Sequence, residues 1–172
     1  MLSPLTSEIS MKPIAPLSIL PRSVLALAKE IARALLRRPV IGIAAAARTA
    51  DGRWLLIRRS DTGTWALPGG TLEWGETLRA TLVRELAEEA GVTEVEVGRV
   101  VGVYSRPDRD VRFHAVTVVV EARIGAPVRP PQNPLEILEV KLFRDDELPG
   151  ELAMGMADML AAARRGGETE LE

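Results

Sequence analysis

The segment from Gly70 to Val92, GTLEWGETLRATLVRELAEEAGV, constrains the rest of the chain more than any other stretch. Thr77 to Ala90 contains neither Pro nor Gly and is followed by Gly91, so it predicts one helix closed by a glycine C-cap. At about 100° per residue, Leu82, Val83, Leu86, Ala87 and Ala90 fall on one side, while Glu85, Glu88 and Glu89 gather on the other with Leu78. Carboxylates three and four positions apart repel by roughly 2 to 3 kcal/mol per pair at about 6 Å and an effective dielectric near 20. Arg79 and Arg84 offset part of that. Two readings follow: an acidic helix face turned to water, or a set of hard oxygen ligands for Mg²⁺ or Mn²⁺ shared with substrate phosphates.

The full spacing decides between them. Gly70, five residues, Glu76, seven residues, then Arg84-Glu85-Leu86-Ala87-Glu88-Glu89-Ala90-Gly91-Val92 resembles the Nudix box at every position. With each residue type at no more than about a tenth of a chain, a chance match has a probability of about a few in a million. The resemblance is strongest over these residues and extends from about Pro39 to Leu160. It implies the α/β class, a Nudix-type α/β/α sandwich around a mixed β-sheet, and Mg²⁺-dependent hydrolysis of a nucleoside diphosphate linked to a second group. It further implies that Glu85, Glu88 and Glu89 hold the metal with the Gly69 carbonyl. Glu76 and Arg84 would pair to brace loop and helix between the box glycines Gly70 and Gly91.

Elsewhere the chain gives no competing function. Its 172 residues, 47% hydrophobic, suit one domain with a sizeable core, and a net charge of -2 gives no general attraction to nucleic acid. The absence of cysteine excludes a disulfide framework and thiol chemistry. No apolar run approaches membrane-spanning length, and charges at Glu8, Lys12, Arg22, Lys29 and Arg33 break up any signal peptide, so a cytoplasmic location is expected.

Taken in order, residues 1–38 form an arm with Pro4, Pro13 and Pro16, then a helix from Pro21 to Arg37. Ser18 is a candidate cap, and Val24, Leu27, Ala28, Ile31 and Leu35 recur at helical spacing. That face either packs on its own domain or joins two copies, and a homodimer is expected. Residues 39–165 carry the catalytic domain. Val40–Ala47 and Arg53–Arg59 read as a hairpin about Asp51-Gly52. Arg58 and Arg59 emerge before the Gly63–Gly70 loop, where Arg58 is a phosphate-binding candidate beside Trp65.

Strands are expected over Val95–Tyr104, Arg112–Ile124 and Ile137–Phe143, and a closing helix over Glu151–Arg164. Residues 166–172 read as a disordered tail. Between the first two of these strands, Arg106, Arg109 and Arg112 stand among aromatics, with guanidinium groups suited to a diphosphate and rings suited to a base or ribose. Arg109-Asp110-Val111-Arg112 resembles the Arg-Asp-Pro-Arg core of Nudix hydrolases of ADP-ribose and nucleoside diphosphate sugars, with Val111 in place of proline. That branch implies ADP-ribose as substrate, AMP and ribose 5-phosphate as products, and a late-loop glutamate as base. Glu136 is the candidate ahead of Glu139, and Glu88 is the alternative within the helix. His114 is expected to be structural. Rival substrates are nucleoside triphosphates and dinucleoside polyphosphates, and a non-catalytic nucleotide sensor is the reading from another class.

Overall fold

The computed structural model describes residues 22–36 and 38–172. It divides into two units, Met1–Arg38 and Pro39–Glu172. In the first, α1 spans Arg22–Leu36, and Val24, Leu27 and Ile31 of its apolar face are exposed. The proline-bearing arm and the Ser18 cap lie outside the described residues.

The second unit is a mixed sheet flanked by helices. Its strands are β1 (Val40–Thr49), β2 (Trp54–Arg59), β3 (Trp65–Ala66), β4 (Gly69–Thr71), β5 (Val95–Tyr104), β6 (Ala115–Ile124), β7 (Ile137–Phe143) and β8 (Glu170–Leu171). The order is β3-β2-β1-β6-β5-β8, with β4 on β1 and β7 on β2. Ile43 to Ala47 of β1 are buried without alternation. Successive strand residues point to opposite faces, so both faces of β1 are covered. The helices α2 (Leu78–Ala90) and α3 (Met156–Arg165) both pack on it. This is the mixed α/β layering that the helix and strand pattern implies.

The expected hairpin forms its turn but not a full ladder. β1 and β2 register only at Arg48 and Trp54, after which β2 leaves to pair with β7. The edge of β1 that β2 vacates is taken by β4, through Gly42–Ala44 against Gly69–Thr71. Glycine is required there: a Cβ on Gly69 would stand 2.1 Å from the Ile43 carbonyl oxygen, and Gly69 has φ 156. On its other edge β1 runs parallel to β6 over ten residue pairs, from Val40–Ala115 to Thr49–Ile124.

Helix α2 begins and ends where its sequence directs. The Thr77 hydroxyl oxygen accepts from the Ala80 N–H at 3.2 Å, and Gly91 takes the left-handed conformation at φ 65. Its orientation differs from the simple amphipathic expectation. Thr81, Leu82, Leu86, Glu89 and Ala90 are buried, whereas Val83 is exposed. The helix therefore turns part of its acidic face inward, toward β4, with which it packs.

The proline-rich loop after β6 then wraps the end of α2. Val128 N–H donates to the Gly91 carbonyl at 3.0 Å, and Gln132 N–H to the Glu88 carbonyl at 2.8 Å. The loop delivers Glu136 to the start of β7. The last helix is shorter than expected: a 3₁₀ turn (Ala153–Gly155) precedes α3. The tail expected to be disordered instead pairs with β5 through β8, in parallel, with Gly102 opposite Glu170.

Candidate active site

Where β2 diverges from β1, a cavity of about 310 Å³ opens, large enough for part of a nucleotide-sized ligand. Its wall changes in character. Gly69, Gly70, Glu85, Glu89 and Glu136 form an acidic end, and Tyr104, Phe113, Met154, Met156 and Met159 an apolar end, with Arg59, Arg109 and Arg112 also lining it.

The acidic end is built by close contact between α2 and β4. A Cβ on Gly70 would fall 2.1 Å from Glu85 Oε1, so the box glycine leaves the space that the carboxylate fills. Glu89 is 7% exposed, and its Oε2 accepts from the Gly69 N–H at 2.8 Å. Burial raises the Glu89 carboxyl to about 8, against the opposing pull of that N–H. Burial also raises Glu85, although Arg84 works the other way.

Arg84 organises the remaining carboxylates. Its Nε and Nη2 grip Glu76 at 2.9 and 3.1 Å, and its Nη1 reaches Glu85 at 2.9 Å and Glu88 at 3.3 Å. The buried Thr81 hydroxyl donates to Glu76 Oε2 at 2.9 Å. Together the guanidinium and the hydroxyl hold Glu76 down to about 2. The Glu76–Arg84 pair thus clamps the loop to the helix.

Among the described residues no three acidic side chains stand in a ready metal-ligating arrangement. Arg84 bridges Glu85 and Glu88, and Gly69 holds Glu89. The donor chemistry nevertheless suits a hard divalent cation. Glu89 is buried with the half-buried Glu85 beside it, and burial makes the Glu89 carboxyl resist ionisation.

The arginines divide by role. Arg59 holds Asp61 through two bonds of 3.0 and 2.9 Å, and Arg112 reaches the same Asp61 at 3.0 Å while gripping Asp110 at 2.9 and 2.7 Å. Asp61 thereby ties two cavity arginines together despite their like charge. Arg109 is engaged by Asp158 at 2.7 Å, Glu172 at 2.7 Å and the Gly155 carbonyl at 2.9 Å, with its guanidinium 5.0 Å from the Tyr104 ring centroid. Only 7% of that side chain is exposed, and these bonds fix its loop at the cavity wall.

Of the residues singled out in the sequence, Gly69, Gly70, Glu85, Glu89, Glu136, Arg109 and Arg112 line the cavity. Glu88 lies beside it on Arg84. Arg58 and Trp65 do not line it: Arg58 pairs with Glu139 at 3.6 Å across β2 and β7, and Trp65 packs edge-on against Phe143 at 4.9 Å. That also takes Glu139 away from the acidic end. Arg59 stands where Arg58 was expected, because neighbouring strand residues face opposite sides. Trp54 to Ile57 are all buried, so no alternation revealed which side faced the cavity. His114 hydrogen-bonds the Ser105 carbonyl at 2.8 Å, as a structural residue would.

The sequence missed the methionines of the apolar end. Met154 has φ 55 and ψ 30, a left-handed conformation costing a β-carbon-bearing residue about 1–2 kcal/mol. No helical or strand periodicity signals such a position.

Comparison with known proteins agrees with this architecture. The NUDIX domain model matches residues 37–163. An ADP-ribose pyrophosphatase of Methanocaldococcus jannaschii is 46% identical over 72 residues, 40% of this chain and 42% of the relative. A MutT-like protein of Streptomyces ambofaciens is 51% identical over 61 residues, 36% of this chain and 39% of the relative. The chain thus matches about two fifths of the length of these curated relatives. The crystal structure of an ADP-ribose pyrophosphatase from Streptococcus suis superposes with a TM-score of 0.63 at 30% identity, covering 78% of this chain and all of that one. With its box, its fold and a domain match over most of its length, the chain belongs to the Nudix family.

Proposed function

We propose that the chain hydrolyses the diphosphate bond of a nucleoside diphosphate linked to a second group, with ADP-ribose or a nucleoside diphosphate sugar as substrate and Mg²⁺, or Mn²⁺, as cofactor. One observation carries the reading: Glu85, Glu89 and Glu136 converge on a cavity that also presents Arg59, Arg112 and an apolar, aromatic end. Such a wall matches a ligand with an anionic centre and a flat organic group. Similarity to proteins named ADP-ribose pyrophosphatases supports the same substrate class.

In this reading Glu85, Glu88, Glu89 and the Gly69 carbonyl hold the cation, which when bound neutralises phosphate charge and acidifies the attacking water. Arg59, braced to Arg112 through Asp61, orients the phosphate oxygens. Glu136 takes the proton of the water. It is favoured over Glu88 because it lines the cavity, whereas Glu88 is held by Arg84. Water adds to one phosphorus as its bond to the bridging oxygen breaks, giving AMP and ribose 5-phosphate from ADP-ribose.

The test is a product profile against ADP-ribose, sugar nucleotides, nucleoside triphosphates and diadenosine polyphosphates in Mg²⁺. Preference for the first two is expected, and preference for either of the others would replace this substrate class. Glu89→Gln is expected to lower turnover at least about a hundredfold, on the scale of losing one electrostatic stabiliser. The reading also places the protein in the cytoplasm as a homodimer joined through α1, whose apolar face is exposed.

A further inference from the structure

We infer that the methionine-rich end of the cavity is a nucleobase subsite and that Met154 is its specificity-determining residue. The inference rests on the reading of this cavity as a nucleotide site. The chain has five methionines, and all three that lie beyond its N-terminal arm, Met154, Met156 and Met159, line this one cavity. Met156 and Met159 are 8% and 2% exposed, while Met154 is half-buried. Unbranched, polarisable thioethers pack well against flat rings and adapt to their outline.

A planar cation and an aromatic ring stand next to them. The Arg112 guanidinium lies 5.2 Å from the Phe113 ring centroid, and its Nη2 is 3.5 Å from Met154 Sδ. Thioether, guanidinium and phenyl ring together offer apolar and π contacts with little hydrogen-bond readout. That chemistry takes a heteroaromatic ring system rather than a sugar, whose hydroxyls need polar partners.

The backbone singles out Met154 among these residues. It is the only non-glycine at positive φ among the described residues. Glycine would adopt φ 55 without strain, so a methionine there serves a purpose of its side chain. The turn is anchored from outside. Gly155 follows at φ 63, its carbonyl accepts from Arg109 Nη1 at 2.9 Å, and a Cβ on it would stand 2.9 Å from the same nitrogen. Arg109 and Arg112, from one loop, therefore hold the Met154–Gly155 turn by its carbonyl and its thioether. The strained residue faces the cavity while its neighbour takes the anchoring bond.

The experiment compares AMP, which carries a base, with ribose 5-phosphate, which does not, by isothermal titration of the full chain. Wild type is expected to bind AMP at least about tenfold more tightly. Met154→Gly and Met154→Asn both accept the left-handed backbone, so each is expected to melt within about five degrees of wild type. Each is expected to lose about tenfold for AMP and less than about twofold for ribose 5-phosphate. Equal loss for both ligands, or none for either, overturns the subsite, as does a wild type without preference for AMP. ADP-ribose hydrolysis in Mg²⁺ is measured alongside. Hydrolysis without base discrimination defeats the subsite alone, and discrimination without hydrolysis of any diphosphate defeats the proposed reaction alone.

Discussion

Glu89 shows how a single side chain is held between two needs. It is buried against β4, where its charge is costly, and its carboxyl therefore rises from 4.5 to about 8. A group that binds its proton more tightly when folded contributes stability below its unfolded value and loses it as pH rises through the folded one. In metal-free buffer the melting temperature is thus expected to fall between pH 4.5 and about 8, and Glu89→Gln to flatten that slope. An unchanged slope in scanning calorimetry would remove the uncompensated charge from the account. Gly70 makes a complementary case. Its alanine variant would place a Cβ 2.1 Å from Glu85 Oε1, and the carboxylate must swing out. Turnover is expected to drop at least about tenfold with far-ultraviolet circular dichroism unchanged, since what moves is a charge-stabilising group. Both residues were legible in the sequence as members of the box. Which of its glutamates is buried was not, because the wheel groups Glu89 with Glu85 and Glu88 on one acidic face and does not say which side of that face meets the sheet.

The terminal strand β8 and the arginine loop illustrate the limits of local pattern. Residues 166–172 begin with two glycines and lack an apolar periodicity, so they read as unstructured. They pair because β5 offers an open edge, and ladder hydrogen bonds use backbone groups that every residue has. Glu172 then accepts from the Ser105 and Arg106 N–H groups at 2.9 and 3.0 Å and from Arg109. The strand is thus a tether for the loop that carries Arg112. Ending the chain at Gly167 is expected to speed amide hydrogen exchange over residues 105–113. It is also expected to raise KM for the diphosphate substrate several-fold, with kcat within about twofold, since uniform binding is what a loosened loop loses. Equal exchange in both forms would show that Asp158 and Gly155 hold the loop unaided. Helix α2 was by contrast readable to within one residue: its Gly91 stop is a local device, and Thr77, read as the first helical residue, is its cap.

At the scale of the molecule, the N-terminal helix and the Nudix unit pose separate questions. Helix α1 carries Val24, Leu27 and Ile31 at exposures of 44%, 62% and 52%, an apolar stripe that would be covered in a dimer. Light scattering is expected to give a dimer mass for the full chain and a monomer mass for a chain starting at Arg38, with hydrolysis retained in the shorter one. A monomer mass for both ends the dimer reading. Among the described residues no helix is long and apolar enough to cross a membrane.

Family, helix and box came from residues close in sequence, whose spacing carries chemistry directly: Gly70, Glu76, Arg84, Glu85, Glu88, Glu89 and Gly91 lie within one short strand, the loop after it and one capped helix. The rest of the site is assembled from segments far apart in sequence. Asp61 joins Arg59 to Arg112, the proline-rich loop after β6 carries Glu136 to β7, and the Met154 turn is held by arginines some 40 positions earlier. Strand pairing made those meetings, and pairing depends on long-range backbone hydrogen bonds. A run such as Ile43–Ala47, apolar on both faces, does not encode its neighbours in any local pattern.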